Sequence, residues 1–140
     1  LVDESLRVVD SPAPAVAVGD VARHPNALFA FGPSRIEHWN MPTELGKYAG
    51  ATLAKSLDDP STMTTPEPFS ALPSFWSDQY DVSLQSFGMP GLGTPTVVEG
   101  DLDGACIVEY HRGDELVGVV GVNRSKDLMP YRKQMLARQP

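Results

Sequence analysis

The sequence predicts an α+β fold, with one long helix ahead of a small antiparallel sheet backed by helix. Three observations predict it. Ile36, Trp39, Thr43, Gly46, Gly50, Leu53 and Leu57 recur at spacings of three and four, which is one face of a helix. From about Tyr80 onward, short runs rich in Val and Ile alternate with turn residues, as in a sheet built of hairpins. Between the two patterns, Ser61 to Pro73 is rich in Ser, Thr and Pro, the composition of a linker.

The elements follow in chain order. Leu1 to Val9 has strand-like stretches without a strong opening, and Ser11-Pro12-Ala13-Pro14 breaks it. Val16-Ala17-Val18 is a short apolar run that ends in Gly19-Asp20. Val16 and Val18 suit a buried strand, and Gly19 permits a sharp turn. Asp20 is then expected at the carboxyl end of a strand, where open α/β sheets hold their ligands. The same dipeptide also suits an ordinary strand-to-loop turn. Arg23 to Pro33 has no firm period, and His24-Pro25-Asn26 is turn chemistry, so an exposed connection is predicted.

The long helix is expected to begin near Asn40, because Pro42 is tolerated only in a first turn. Glu37-His38-Trp39 then lies at its amino end, and Asp58-Asp59-Pro60 stops it. Gly46 and Gly50 cost helix propensity, which close packing against a sheet or ligand would offset. The first unit is read as residues 1–57, the linker as 58–68 and the second unit as 69–140.

In the second unit, Phe75-Trp76-Ser77-Asp78-Gln79 opens the segment and Tyr80 to Phe87 alternates like a half-buried strand. Thr96 to Glu99, Ala105 to Tyr110 and Glu115 to Val122 are three more strands. The last two are joined by a hairpin turn at Arg112-Gly113-Asp114. Val117, Val119, Val120 and Val122, among glycines, predict a strand buried on both faces. Ser125 can cap a closing helix whose inner face carries Leu128, Met129, Tyr131 or the Arg132 stem, Met135 and Leu136.

Composition narrows the function. The 140 residues suit one ordinary domain, or one small domain with a piece of another. Eighteen Asp and Glu against 11 Lys and Arg argue against nucleic acid. No apolar run reaches the length that crosses a bilayer, and none reads as a signal peptide. The single Cys106 excludes an internal disulfide framework and Cys-rich metal sites, and reads as a buried thiol in a cytoplasmic setting. The chain begins at Leu1 and is read as a fragment of a longer protein.

Few residues suggest chemistry directly. The three histidines and one cysteine lack metal-ligand spacing. Gly88-Met89-Pro90-Gly91-Leu92-Gly93 has the wrong glycine order for a dinucleotide loop, and Pro90 suits a plain loop. Ser77 and Ser86 show no nucleophile elbow. Cys106 has no obvious neighbouring base. Two aromatic sites remain, Glu37-His38-Trp39 and Phe75-Trp76-Ser77-Asp78-Gln79. Both tryptophans can be packing residues, Trp39 in the helix core and Trp76 between units.

Taken together these pieces resemble one family. Val16-Ala17-Val18-Gly19-Asp20-Val21-Ala22 is similar to the second FAD-binding motif of pyridine-nucleotide-dependent flavoprotein reductases. Arg35-Ile36-Glu37-His38-Trp39 with Glu44, then Phe75-Trp76-Ser77-Asp78-Gln79-Tyr80, Leu84-Gln85 and Gly88, narrows the likeness to the oxygenase-coupled ferredoxin reductases. That is the group of putidaredoxin and rubredoxin reductases, with apoptosis-inducing factor as a relative. Leu116-Val117-Gly118-Val119-Val120-Gly121-Val122-Asn123-Arg124 is similar to the group's carboxyl-terminal domain. The chain departs from the group at Met41-Pro42 and at Glu44-Leu45.

The resemblance implies the last third of such an enzyme. Residues 1–57 would be a strand and long helix from the end of an FAD-binding α/β domain, and 69–140 a whole carboxyl-terminal reductase domain. It implies that Asp20 holds a ribityl hydroxyl of FAD, that His38 and Trp39 lie by the flavin's pyrimidine edge, and that Trp76 lies near the isoalloxazine on the iron–sulfur partner's side. The implied reaction passes electrons from NAD(P)H through FAD to a small ferredoxin, with no side chain here as general acid or base. The fragment alone is expected to hold FAD weakly or not at all and to be inactive. Alternatives are a non-catalytic interaction or homodimerisation module, and a related flavoprotein reductase with another acceptor.

Overall fold

Helix and sheet fall in separate stretches of the chain, as expected. The computed structural model describes residues 1–12, 15–59 and 67–139. Most of the predicted linker, residues 60–66, lies outside the described residues. The chain divides into two compact units, Leu1–Ala71 and Leu72–Gln139.

The first unit is built around α1, Met41–Asp58, and a short hairpin of β1, His24–Asn26, and β2, Phe31–Ser34. α1 starts where Pro42 allows, with Asn40 as its capping residue. It buries Met41, Leu45, Ala49 and Thr52. The face predicted as core is instead turned outward. Leu53 and Leu57 are 41% and 86% exposed, and a Cβ at Gly46 or Gly50 would meet nothing within 4 Å. Both faces carry apolar residues at helical spacing, so periodicity alone did not choose between them.

The expected strand at Val16–Val18 is not formed. Val16 makes one isolated antiparallel bridge to Arg7, with Ala17 N–H donating to Leu6 O at 3.0 Å. The partner segment turns away on both sides, since Leu6 and Asp10 have φ of 61° and 59°. A ladder cannot extend past two left-handed residues. Asp20 therefore sits in a 3-10 turn, Gly19–Val21, rather than at a strand end.

The expected exposed connection over Arg23 to Pro33 is the β1–β2 hairpin, and several of its residues are buried. Asn26 Nδ2 donates to Ala71 O at 2.8 Å, while its Oδ1 accepts from Leu28 N–H at 3.1 Å. Phe69, which the sequence reading put in the second unit, lies in the first. It meets the rings of His24 and Tyr48 edge-on, at centroid distances of 5.2 and 5.4 Å.

His24 carries a pH dependence. Its Nδ1 lies 2.9 Å from Pro25 O, so Nδ1–H is the donor and Nε2 holds the lone pair. Nε2 is buried without a hydrogen-bond partner. Burial lowers the pKa below 6.5, partly opposed by the Pro25 hydrogen bond. The folded state thus takes up the His24 proton less readily than the unfolded chain. Its contribution is fully present above the unfolded value of 6.5 and is lost as pH falls from there through the lowered folded value. Urea midpoints should fall with acidification below 6.5, and His24→Leu should flatten that slope. An equal slope in the variant would assign it to other groups.

The second unit is a five-stranded antiparallel sheet in the order β3-β4-β7-β6-β5. The strands are β3 Ser74–Gln79, β4 Val82–Gly88, β5 Thr94–Gly100, β6 Cys106–Arg112 and β7 Glu115–Val122. β3 had been read only as the opening of the unit. Its six residues pair one-to-one with β4 across a tight turn at Tyr80-Asp81. The predicted double-sided burial of β7 holds over Leu116–Val119. Phe87, Val119 and Glu109 align across β4, β7 and β6. On the same face Leu128 sits over Gly121, whose missing Cβ would lie 3.1 Å from it. A 3-10 turn, Ser125–Leu128, and the helix α2, Met129–Leu136, supply this cover, with Leu128 and Met135 fully buried. Ser125 makes no side-chain cap, and Met129 is exposed rather than inward. Cys106 is a buried free thiol in β6.

Candidate functional site

Three of the four residues singled out by sequence lie in the first unit, around the amino end of α1. Gly19, at φ +76°, reverses the chain into the 3-10 turn that presents Asp20. The turn closes with Ala22 N–H donating to Gly19 O at 2.9 Å. It packs on α1: a Cβ at Gly19 would lie 3.7 Å from Pro42 Cβ. Asp20 is exposed, so its carboxylate is open to an incoming donor.

His38 and Trp39 occupy the chain immediately before α1. Met41 N–H donates to His38 O at 2.9 Å, which winds this segment onto the helix. His38 is half-buried, and burial lowers its pKa, so the ring is neutral at pH 7. A neutral imidazole offers one donor and one acceptor. Trp39 is 85% exposed, which overturns its reading as helix core. Asn40 makes no side-chain cap, and Pro42 lacks an N–H, so the positive end of the helix dipole is not neutralised by a capping side chain. Glu44, in the first turn, is held by Lys47 at 2.9 Å.

Trp76 stands on β3, an edge strand of the second unit, and is 56% exposed. Its backbone partner is Gln85, whose Nε2 donates to Phe75 O at 3.0 Å. Gly88-Met89-Pro90-Gly91-Leu92-Gly93 forms a 3-10 turn over Pro90–Leu92 with Gly88 at φ +84°. It is a structural corner, as Pro90 suggested.

An exposed carboxylate, a neutral imidazole, an uncapped helix amino end and an exposed indole therefore share one end of α1. Such a set suits a ligand with hydroxyl groups and a flat ring that gains negative charge. Nothing in it is a strong acid or base. Leu45, where the chain departs from the reductases, is fully buried on the opposite face and does not enter this set.

Two features carried no motif. A cleft of about 540 Å³ is lined by Leu1, Val2, Asp3, Arg7, Pro25 and Pro33, among others, and by none of the four candidates. Its charged pair, Asp3 and Arg7, is already closed at 2.9 Å. In the second unit, Glu109 accepts from Tyr131 at 2.9 Å and pairs with His111 Nε2 at 2.8 Å. The His111 hydrogen bond, with that of Tyr131, lowers the Glu109 pKa, while burial and Glu109 push Tyr131 up to about 12. This cluster ties α2 to β6. The alternation Glu109-x-His111 on one strand face was its only sequence signal. No group of three or more His, Cys, Asp or Glu among the described residues could hold a metal. No helix among them is long and apolar enough to cross a membrane.

Residues 74–140 match the reductase C-terminal family. The chain is 31% identical over 138 residues to the ferredoxin–NAD(+) reductase component of the anthranilate 1,2-dioxygenase system of Burkholderia cepacia, covering 97% of this chain and 31% of that protein. It is 32% identical over 141 residues to rhodocoxin reductase of Rhodococcus erythropolis, covering all of this chain and 30% of that one. Among solved structures, the putidaredoxin reductase–putidaredoxin covalent complex aligns at TM-score 0.78 and 27% identity over 98% of this chain and 30% of that one. A ferredoxin reductase from Rhodopseudomonas palustris aligns at TM-score 0.74 and 23% identity, over 99% of this chain and 32% of that chain, a likeness of fold. The chain thus spans about a third of the length of the curated relatives it matches.

Proposed function

We propose, from a chain whose residues 74–140 belong to the reductase C-terminal family, that it is the carboxyl-terminal third of an FAD-dependent NAD(P)H:ferredoxin reductase. Residues 1–57 are then the end of the FAD-binding domain, and the carboxyl-terminal domain begins after Ala71 rather than at Phe69. The setting is cytoplasmic and the partner a small iron–sulfur protein. The observation that carries the reading is the clustering of Asp20, His38 and Trp39 at the uncapped amino end of α1.

FAD, when bound, supplies the exchange between a two-electron hydride donor and a one-electron acceptor. This chain's residues bind and tune it. The Asp20 carboxylate accepts hydrogen bonds from ribityl hydroxyls, which charge makes stronger than neutral ones. The amino end of α1 favours negative charge on the pyrimidine edge, a preorganised electrostatic effect. Neutral His38 adds a hydrogen bond there without a competing charge. The Trp39 indole, exposed beside His38, lies by the same pyrimidine edge.

The test uses rhodocoxin reductase with its matching 30% replaced by this chain. The fusion should purify yellow and reduce an iron–sulfur acceptor with NADH or NADPH. Asp20→Ala should weaken flavin retention about tenfold or more, the loss of one charge-assisted hydrogen bond. A colourless fusion, or a variant that holds flavin as well as the parent, would sink the assignment. Faster turnover with oxygen or quinone than with ferredoxin would favour the other-acceptor reading.

A further inference from the structure

Trp76 stands where a sheet holds its residues least firmly. β3 pairs with β4 alone among the described residues, so it has one ladder where an inner strand has two. The indole is 56% exposed, so packing covers less than half of the residue. Its cross-strand partner is Gln85, and directly opposed residues share one face of the sheet. Gln85 Nε2 donates to Phe75 O at 3.0 Å and to Ser86 O at 3.3 Å. Both partners are carbonyl oxygens, so the nitrogen must lie between them and both of its N–H bonds are used. Phe75 O belongs to the peptide that joins Phe75 to Trp76. The carboxamide therefore braces that peptide against the backbone of β4, and the peptide sets the direction of the Trp76 Cα–Cβ bond. Across the sheet the same row continues through Gly121, with Leu128 over it, to buried Ile107. An apolar side chain would fill this row as well as a glutamine, so packing does not account for the amide.

We propose that Gln85 is a positioning residue, whose carboxamide fixes the Trp76 indole in the orientation that receives the iron–sulfur partner. The inference rests on the reductase reading above, in which Trp76 faces that partner. A side chain already held in one rotamer loses less freedom when a partner covers it, and a rigid aromatic is a low-cost anchor. Gln85 acts through Trp76 and through nothing else.

The experiment has two arms. In the first, Trp39→Phe leaves Trp76 as the sole indole of the 140-residue chain, which has two tryptophans. Gln85→Met keeps the length of the side chain and removes both donors. Fluorescence anisotropy decay of the folded variant should gain a sub-nanosecond component, the motion of a freed side chain. Gln85→Glu, which keeps length and polarity without the N–H bonds, replaces it should the methionine chain not fold. A lowered urea midpoint with an unchanged native-state decay would mark a structural role only and overturn the proposal. In the second arm the rhodocoxin reductase fusion carries Gln85→Met. Its KM for rhodocoxin should rise about 2- to 10-fold relative to its KM for NADH, the cost of immobilising one side chain. In a Trp76→Ala background the same substitution should add nothing, since the residue it acts through is gone. A further rise there would overturn the proposal, because Gln85 would then act by another route. A yellow fusion whose KM for rhodocoxin does not move strikes Gln85 alone. A colourless fusion strikes the reductase reading, and with it the use proposed for the indole.

Discussion

Gly88→Ala is expected to destabilise the second unit by about 3 kcal/mol. Two costs add. Gly88 has φ +84°, a conformation that costs an L-residue roughly 1–2 kcal/mol. Its Cβ would lie 2.4 Å from Val117 O and 3.0 Å from Gly118 Cα, both backbone atoms of the central strand β7. Those atoms are held by ladder hydrogen bonds and by Met89 N–H donating to Val117 O at 2.7 Å, so relief requires the sheet itself to shift. Overpacking of that kind costs about 1–3 kcal/mol. Two controls separate the terms. Gly113 has φ +59° with open space around it, so Gly113→Ala isolates the backbone cost of about 1 kcal/mol. Gly104 has neither, and Gly104→Ala should stay within about 0.5 kcal/mol. Urea midpoints at constant slope read all three, and a Gly88→Ala midpoint no lower than that of Gly113→Ala would remove the close-approach argument.

The sheet was legible because its strands are bounded by turn residues and joined by short hairpins. Gly113-Asp114 sits between β6 and β7 as read, and β4 through β7 were all found near their places. β3 was not, since Ser74–Gln79 has no alternation and its pairing with β4 is a tertiary fact. The β1–β2 hairpin was hidden for a similar reason. Its loop is held by Asn26, whose partner Ala71 lies 45 residues away. His24-Pro25-Asn26, read as turn chemistry and as exposed, is the strand β1 with His24 and Asn26 buried, and the turn falls on the four residues that follow.

The helix shows the opposite limit. Its start and stop were written in Pro42 and Asp58-Asp59, local signals that need no partner. Its inner face was not, because two apolar faces compete and only tertiary contacts choose. The site follows the same division. Asp20, His38 and Trp39 were picked out as chemistry-bearing residues, and the fold gathers them at one helix end by a 3-10 turn rather than a strand tip. The Glu109–His111–Tyr131 cluster escaped because Tyr131 reaches Glu109 from α2, 22 residues on.

Leu45→Ala tests which face of α1 is core. Leu45 is fully buried, so truncation removes its apolar transfer energy and leaves a cavity under the helix. Leu→Ala at such sites costs about 2–5 kcal/mol, and roughly 3 is expected here because Met41 and Ala49, its neighbours one turn away, are buried too. Leu57→Ala, on the face the period first suggested, removes a side chain that is 86% exposed and should change stability by no more than about 0.5 kcal/mol. Helical circular dichroism follows the first unit, because α1 is 18 residues against 8 in α2. If Leu57→Ala proved as costly as Leu45→Ala in the chain alone, the outer face would already be covered.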